Sequence, residues 1–272
     1  MKHLLKRFDT IKRKQAIRTI VVSVLIGLAF AGCTKIIEVD LKNAEPKMVI
    51  EGIVTNSGAA KVTITKSVPF SNSNIFPAIT GASVIITDDA GGVFSLTENT
   101  PGNYINNSLI GVEGRTYQLS VGLNGKEYKG SSTMPARVPL DTILLEQIAF
   151  VTDNIWIVKP KYTDPPGFGN YYRFIETINN VRNPTIWVWD DKLSNNGVST
   201  RPLIQADSTI EINDTIEVEM QCIDRNIFRY FSALEGVKSN STTPTNPDTN
   251  ISGDVLGYFS AHTSQKKKVL VK

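Results

Sequence analysis

Apolar and polar residues alternate over short segments from residue 47 onwards. A period of two is typical of β-strands, whose successive side chains point to opposite faces of a sheet. In residues 215–222, Ile216, Val218, Met220 and Cys222 share one face, which we expect to be buried. The pattern predicts strands over residues 47–55, 60–66, 82–87, 93–97, 116–123 and 126–132, and over 142–150, 154–162, 170–178, 185–189, 201–205, 215–223, 255–261 and 268–271.

Turn residues separate the strands of the first half. Asn124 and Gly125 stand between two of them, and this pair favours a two-residue hairpin turn in which both positions need positive φ. Several short strands at this spacing are typical of an all-β fold. We therefore predict an Ig-like or transthyretin-like β-sandwich over residues 46–134. Two prolines within residues 134–139 favour an extended connector, where we place a domain boundary.

The second half combines longer strands with one segment of helical period. Asp224 can cap a helix, because its side chain can accept a hydrogen bond from a free backbone N–H of the first turn. Ile227, Phe231 and Leu234 then recur on one helical face. We therefore predict a second antiparallel β domain over residues 141–272, with one helix over residues 224–237.

The first 32 residues have the organisation of an export signal. Seven basic residues and one acid precede twelve almost wholly apolar residues, 20–31, whereas a membrane span needs about 20 apolar residues. The segment ends in Phe30-Ala31-Gly32-Cys33, which is similar to a bacterial lipobox, although Phe30 stands where Leu is usual. We predict a lipoprotein signal peptide over residues 1–32, lipidation of Cys33 and a tether over residues 33–45. The alternatives are an uncleaved anchor and a cleaved protein whose cysteine carries no lipid.

Cleavage before Cys33 would reverse the net charge. The full chain carries +3 and residues 1–32 contribute +6, seven bases minus Asp9, so the mature chain has 22 bases, 25 acids and a net charge of −3. No basic stripe remains to neutralise phosphates, and we expect no nucleic-acid partner.

The mature chain is poorly supplied with catalytic and metal-binding side chains. His262 is its single histidine, which we expect to be exposed or hydrogen-bonded, and Cys222 is its single cysteine besides Cys33. A zinc site of Cys and His ligands and a Ser-His-Asp triad are therefore poorly supplied. We therefore expect no metal, no cofactor and no enzymatic activity. A hydrolase whose two carboxylates come from distant positions is the remaining enzymatic alternative.

Three tryptophans are the main candidates for ligand contact. Trp187 and Trp189 point to the same side of one predicted strand, and Trp156 lies on another. Ile186 and Val188 make the first strand apolar on both sides, so it is either buried on both faces or uses one face for contact. Tryptophans on a sheet can stack on sugars or anchor a protein, whereas the alternative role is to fill the core.

The chain also resembles a known family at three places. These are Val49-Ile50-Glu51-Gly52 with Gly81-Ala82-Ser83-Val84 and Gly114-Arg115-Thr116-Tyr117-Gln118-Leu119, then Asp164-Pro165-Pro166 with Asn170-Tyr171-Tyr172-Arg173, then Asn246-Pro247 with Thr249-Asn250-Ile251, Gly253 and Leu256-Gly257-Tyr258-Phe259. On these motifs the chain is similar to the Bacteroidetes-type lipoprotein family catalogued as domain of unknown function 4249. The resemblance implies an accessory envelope lipoprotein, often encoded beside a TonB-dependent outer-membrane transporter, and it supplies no catalytic residues.

Together these patterns predict a non-enzymatic lipoprotein of the outer membrane, anchored at Cys33 on the cell-surface or the periplasmic side. Its expected role is an accessory binding or assembly partner of a TonB-dependent transporter. The alternative is a surface module that captures a glycan or peptide through Trp156, Trp187 and Trp189, and the third hypothesis is a hydrolase.

Overall fold

Strands make up most of the chain that the structure describes. The computed structural model describes residues 45–69, 75–150, 153–204, 210–238 and 246–272. Within these ranges lie fifteen strands, one 3-10 helix (Asp191–Leu193) and one α-helix, α1 (Arg225–Lys238). The strands are β1 (Met48–Thr55), β2 (Gly58–Lys66), β3 (Ser83–Asp88), β4 (Val93–Thr100), β5 (Asn103–Asn106), β6 (Thr116–Leu123), β7 (Lys126–Thr133), β8 (Leu140–Phe150), β9 (Asp153–Thr163), β10 (Tyr171–Ile178), β11 (Val181–Arg182), β12 (Trp187–Asp190), β13 (Val198–Ser199), β14 (Thr215–Ile223) and β15 (Leu256–Leu270).

Twelve of these strands form one large sheet. Its order is β11-β10-β14-β15-β1-β2-β5-β4-β3-β6-β7, and β12 also pairs with β10. Paired strands run antiparallel except β1 and β15, which pair in parallel with Ile50 opposite Gly257. The other three strands form a second sheet in the order β13-β9-β8.

The first half of the large sheet folds over an apolar core, which gives it a sandwich-like form. Ile50 on β1, Val62 on β2 and Leu119 on β6 are almost fully buried in the same cluster. Gly52 allows the Phe259 ring to approach β1, because a Cβ at this glycine would lie only 2.8 Å from Phe259 Cδ2. Two layers of strands thus share one core, with β15 in the layer of β1.

A second core lies between the other half of the large sheet and the three-stranded sheet. Phe174 on β10 and Met220 on β14 face Leu140 on β8 and Val158 and Tyr162 on β9, and all five side chains are buried. The prediction that the apolar face of residues 216–222 is buried is confirmed, since each of its four residues is at most 3 % exposed.

Strand β15 contributes to both cores. Phe259 and Ala261 belong to the first core, and Val269 packs against the second. The Asn250 side-chain amide donates to the carbonyl oxygens of Phe259 at 2.7 Å and Ser131 at 3.0 Å, and its oxygen accepts the Phe259 N–H at 2.9 Å. The last strand is thereby fastened to β7. The division into domains over residues 46–134 and 141–272 stays a prediction of the sequence.

The all-β fold class with a single α-helix near the C-terminus is confirmed for the described residues. Asp224 caps α1 as predicted, because its Oδ1 accepts the Ile227 N–H at 2.9 Å. Asn124 and Gly125 adopt φ values of 51° and 74°, as the predicted hairpin turn requires.

Two strand predictions were wrong. The predicted strands 255–261 and 268–271 belong to one strand, β15, which runs from Leu256 to Leu270. Its Lys266 and Lys268 form ion pairs with Glu217 on the neighbouring β14 at 2.9 and 3.2 Å. These cross-strand pairs stabilise a run of three lysines within the strand. Residues 201–204 form no strand, and Leu203 makes only an isolated bridge to Val158. The short strands β5, β11 and β13 were not predicted.

Candidate functional site

Two of the three tryptophans predicted to contact a ligand lie on β12, which is covered on both faces. Trp187 is 7 % exposed and donates its Nε1–H to the Ile204 carbonyl oxygen at 3.3 Å. Trp189 is half-buried, with its ring centroid 4.6 Å from that of Phe174 and 5.0 Å from the Arg201 guanidinium. Both face the second core, while Ile186 and Val188 pack in the cluster beneath α1.

Trp156 lies on β9 and is half-buried against the second core. All three tryptophans therefore pack in or against one core, and their binding of a ligand stays a prediction. Cys33 lies outside the residues that the structure describes.

Cys222 and His262 both have structural environments. The Cys222 thiol is buried beside Val138, whose N–H donates to Sγ at 3.3 Å, and burial raises the pKa of this thiol. His262 lies within β15, where Nδ1 is 2.9 Å from the Ser260 hydroxyl oxygen. Burial lowers the pKa of His262 to about 4, so the imidazole is neutral at pH 7. The prediction that His262 is hydrogen-bonded is confirmed, and the side chain is buried rather than exposed.

A surface cavity of about 380 Å³ opens beside the first turns of α1. Its lining comes from the loop before β10, from β10 itself, from the end of β12 with the 3-10 helix, and from α1. The size is within the range of small-ligand pockets. We therefore take this cavity as the candidate site; its lining residues are Phe168, Gly169, Tyr171, Asp190, Asp191, Lys192, Arg225, Phe228 and Arg229.

The loop before β10 is held in place by Asp191. This buried carboxylate accepts the backbone N–H groups of Gly169 at 2.7 Å and Asn170 at 2.8 Å. Gly167 and Gly169 have φ values of 105° and 117°, a conformation that glycine adopts without strain. Phe168, between them, leaves 76 % of its surface exposed at the cavity.

Two further aromatic side chains form the apolar wall of the cavity. Tyr171 on β10 stacks on Phe228 of α1, with ring centroids 4.8 Å apart and an interplanar angle of 28°. Both are half-buried, and they pack against the cluster around Ile227 and Phe231. The apolar stripe of α1 thus extends into the cavity.

The carboxylates of the cavity have hydrogen-bonded or ion-paired partners, whereas its two arginines have no carboxylate partner within the described residues. Asp190 pairs with Lys192 at 2.9 Å, and Asp191 is occupied by two backbone N–H groups. Arg225 and Arg229 are exposed and lie one helical turn apart. Within the described ranges, neither arginine has a carboxylate at ion-pair distance.

Two depressions continue the cavity along the surface. One, of about 350 Å³, shares Arg229 and adds Ser131, Asp248 and Asn250. The other, of about 480 Å³, runs over β6 and β7 and shares Ser131 and Asn250 with the first. Together they extend the candidate site into a groove rich in hydroxyl and amide groups.

The cavity could not be predicted from the sequence because its lining residues come from distant segments. One local signal was present: Phe168 stands between two glycines after Asp164-Pro165-Pro166, in a loop that exposes it. A second was the pair Arg225 and Arg229, which lies outside the apolar stripe of the predicted helix.

The residues that the structure describes contain no group of three or more His, Cys, Asp and Glu side chains that could hold a metal ion. No helix in the same ranges is long and apolar enough to cross a membrane.

Comparison with known proteins gives one family. The model of a family described as Domain of unknown function (DUF4249) matches residues 34–268. No curated protein matches the chain. The matched region contains β1 to β14 and ends within β15, and it begins immediately after Cys33.

Proposed function

The chain belongs to the DUF4249 family, and from this premise we propose that it is a non-enzymatic lipoprotein of the cell envelope. In this proposal Cys33 carries the lipid that holds the protein in the outer membrane. The folded part serves as an accessory binding or assembly partner of a TonB-dependent outer-membrane transporter.

The observation that carries the proposal is the position of Cys33. The basic leader and the apolar segment 20–31 end at this cysteine, and the family match begins at the next residue, 34. The leader is thus separate from the family domain at the point where a lipoprotein signal would be cleaved. Acyl chains contribute about 0.8 kcal/mol per buried methylene, so several chains on one cysteine support a stable anchor.

The environments of the reactive side chains support a non-enzymatic role. The Cys222 thiol and the His262 imidazole are both buried and hydrogen-bonded within the fold. Asp190 and Asp191, the two carboxylates in the cavity beside α1, are already occupied by Lys192 and by backbone N–H groups. Because these contacts already occupy the reactive groups, they support a structural or binding role rather than a catalytic one.

The anchor can be tested by metabolic labelling with an alkyne-bearing fatty acid. We expect label on the wild-type protein and on Cys222→Ala, and loss of label together with release from membranes for Cys33→Ala. The Cys222 variant is the matched control, because it removes the other cysteine of the chain. Label that persists in Cys33→Ala would refute the anchor. Protease shaving of intact cells would then distinguish the cell-surface from the periplasmic side.

A second candidate function is the capture of a glycan or peptide at an aromatic surface. It is favoured by the exposure of Phe168 beside Tyr171 and Phe228. This aromatic surface differs from the one expected from the sequence, since Trp187 is 7 % exposed. Capture and partnership with a transporter are compatible, because one accessory protein can do both.

A further inference from the structure

The cavity beside α1 has more positive charge than its own carboxylates neutralise. Lys192, Arg225 and Arg229 face two carboxylates, Asp190 and Asp191, which gives a formal excess of +1. The excess lies on the two arginines, because Lys192 is paired with Asp190 at 2.9 Å. Residues 33–272 as a whole have a net charge of −3. A local cationic site on an acidic protein favours an anionic ligand.

The spacing of the arginines suits one carboxylate group. Arg225 and Arg229 are four residues apart on α1, a rise of about 6 Å along the helix axis, and so they share a helical face. A guanidinium group binds a carboxylate through two parallel hydrogen bonds. The two side chains can therefore converge on a carboxylate or hold two that are adjacent.

The apolar wall of the cavity indicates which kind of group should lie beside the carboxylate in the ligand. Phe168 is 76 % exposed and has no polar atom in its side chain. Tyr171 and Phe228 stack on each other at 4.8 Å, so each has only one ring face left for a ligand. An apolar or aromatic side chain would cover this wall and remove it from water.

We propose that this cavity binds a peptide segment in which a carboxylate lies next to an apolar or aromatic side chain. The proposal gives a ligand class to the binding role proposed above and rests on that role, although it requires neither the lipid anchor nor a particular transporter. A neutral sugar would leave the two guanidinium groups, which have no carboxylate partner, without a counter-charge. The polar groove that continues past Arg229 could hold the peptide backbone through its hydroxyl and amide groups.

A small probe with both features is N-acetyl-4-fluorophenylalanine, whose binding to the purified full-length protein can be measured by fluorine NMR. Its matched control is the corresponding amide, which keeps the ring and lacks the charge. We expect the amide to bind about tenfold more weakly than the acid, because it loses charge-assisted hydrogen bonds to the arginines. The same loss, about tenfold, is expected for the acid with Arg225→Glu/Arg229→Glu.

Variants elsewhere on the surface distinguish binding at this cavity from a general effect of the protein's net charge. Lys66→Glu/Lys126→Glu makes the same change in net charge on exposed strand residues outside the cavity, and it should leave binding unchanged. Phe168→Ser should weaken binding several-fold, whereas Phe76→Ser, which alters another exposed phenylalanine, should not. Circular dichroism would verify that every variant keeps its strand content.

Three results would overturn the proposal. One is equal binding of the acid and the amide, and another is an equal effect of the two double charge reversals. The third is displacement of the probe by methyl glucuronide at lower concentration than by N-acetylphenylalanine, which would identify the site as one for acidic sugars. None of these measurements involves a membrane, so their failure is distinguishable from failure of the lipid anchor.

Discussion

The parallel pair of β1 and β15 places Gly257 where no other residue fits. Gly257 has a φ of 101° and lies opposite Ile50 in the register of this pair. A Cβ at this position would lie 2.7 Å from the carbonyl carbon of Ile50 and closer still to its oxygen. Because these atoms are backbone, they cannot rotate away as a flexible side chain would. Gly257→Ala must therefore displace one of the two strands.

Gly91 is a control that has the positive φ of Gly257 but not its close contact with a neighbouring strand. Its φ of 89° is close to that of Gly257, but a Cβ there would meet nothing within 4 Å. Gly91→Ala should cost only the backbone strain, about 1 kcal/mol or somewhat more. Gly257→Ala carries the same strain and a steric overlap that adds about 1–3 kcal/mol or more. The gain from a less flexible unfolded chain, about 0.4–1 kcal/mol, is common to both changes and cancels in the comparison.

Urea unfolding of the two variants, followed by far-ultraviolet circular dichroism, measures the difference. We expect the free energy of unfolding of Gly257→Ala to be at least about 1 kcal/mol below that of Gly91→Ala. Equal stabilities of the two variants would refute the close approach of β15 to β1. They would also remove the reason for a glycine within this strand.

Three further predictions concern polar side chains that form hydrogen bonds within the fold. Burial lowers the pKa of His262 from its ordinary 6.5 to about 4. On acidification the unfolded chain therefore takes up the proton first, and the free energy of unfolding falls by up to about 3 kcal/mol between pH 6.5 and 4. Urea unfolding at pH 7 and pH 4.5 should show a smaller fall for His262→Gln than for the wild type. Asn250→Ala removes three hydrogen bonds that fasten β15 to β7 and should lower the unfolding free energy by about 1–3 kcal/mol; an unchanged urea midpoint would contradict this. Tyr172→Phe removes the hydroxyl that donates to the buried Asp164 carboxylate, and it should lower the free energy of unfolding by about 1–3 kcal/mol. Thermal unfolding should show no such decrease for Tyr128→Phe, which alters a half-buried tyrosine on β7.

Local patterns in the sequence were sufficient for most elements of the fold. The alternation over residues 215–222 predicted a buried face because a period of two arises wherever one side of a strand is covered. Asn124 and Gly125 predicted their hairpin because few residues adopt positive φ at both positions. The helix followed from its cap, Asp224, and its apolar stripe.

The missed features depend on contacts between distant residues. The lysines of β15 are tolerated because β14 places Glu217 beside them, which alternation within one strand cannot reveal. The parallel pairing of β1 with β15 joins opposite ends of the described chain. The cavity beside α1 likewise brings Phe168 and Arg225 together from separate segments. Its aromatic residues were hidden from sequence reasoning, which gave more weight to the three tryptophans.

Affinity purification from native outer membranes tests the proposed function most directly. The wild-type protein, tagged at the C-terminus and extracted in mild detergent, should recover a TonB-dependent transporter that mass spectrometry identifies in near-equal amount. Recovery should fall with Arg225→Glu/Arg229→Glu and remain with Lys66→Glu/Lys126→Glu. A wild-type preparation that carries its lipid at Cys33 and recovers no transporter would contradict the proposal.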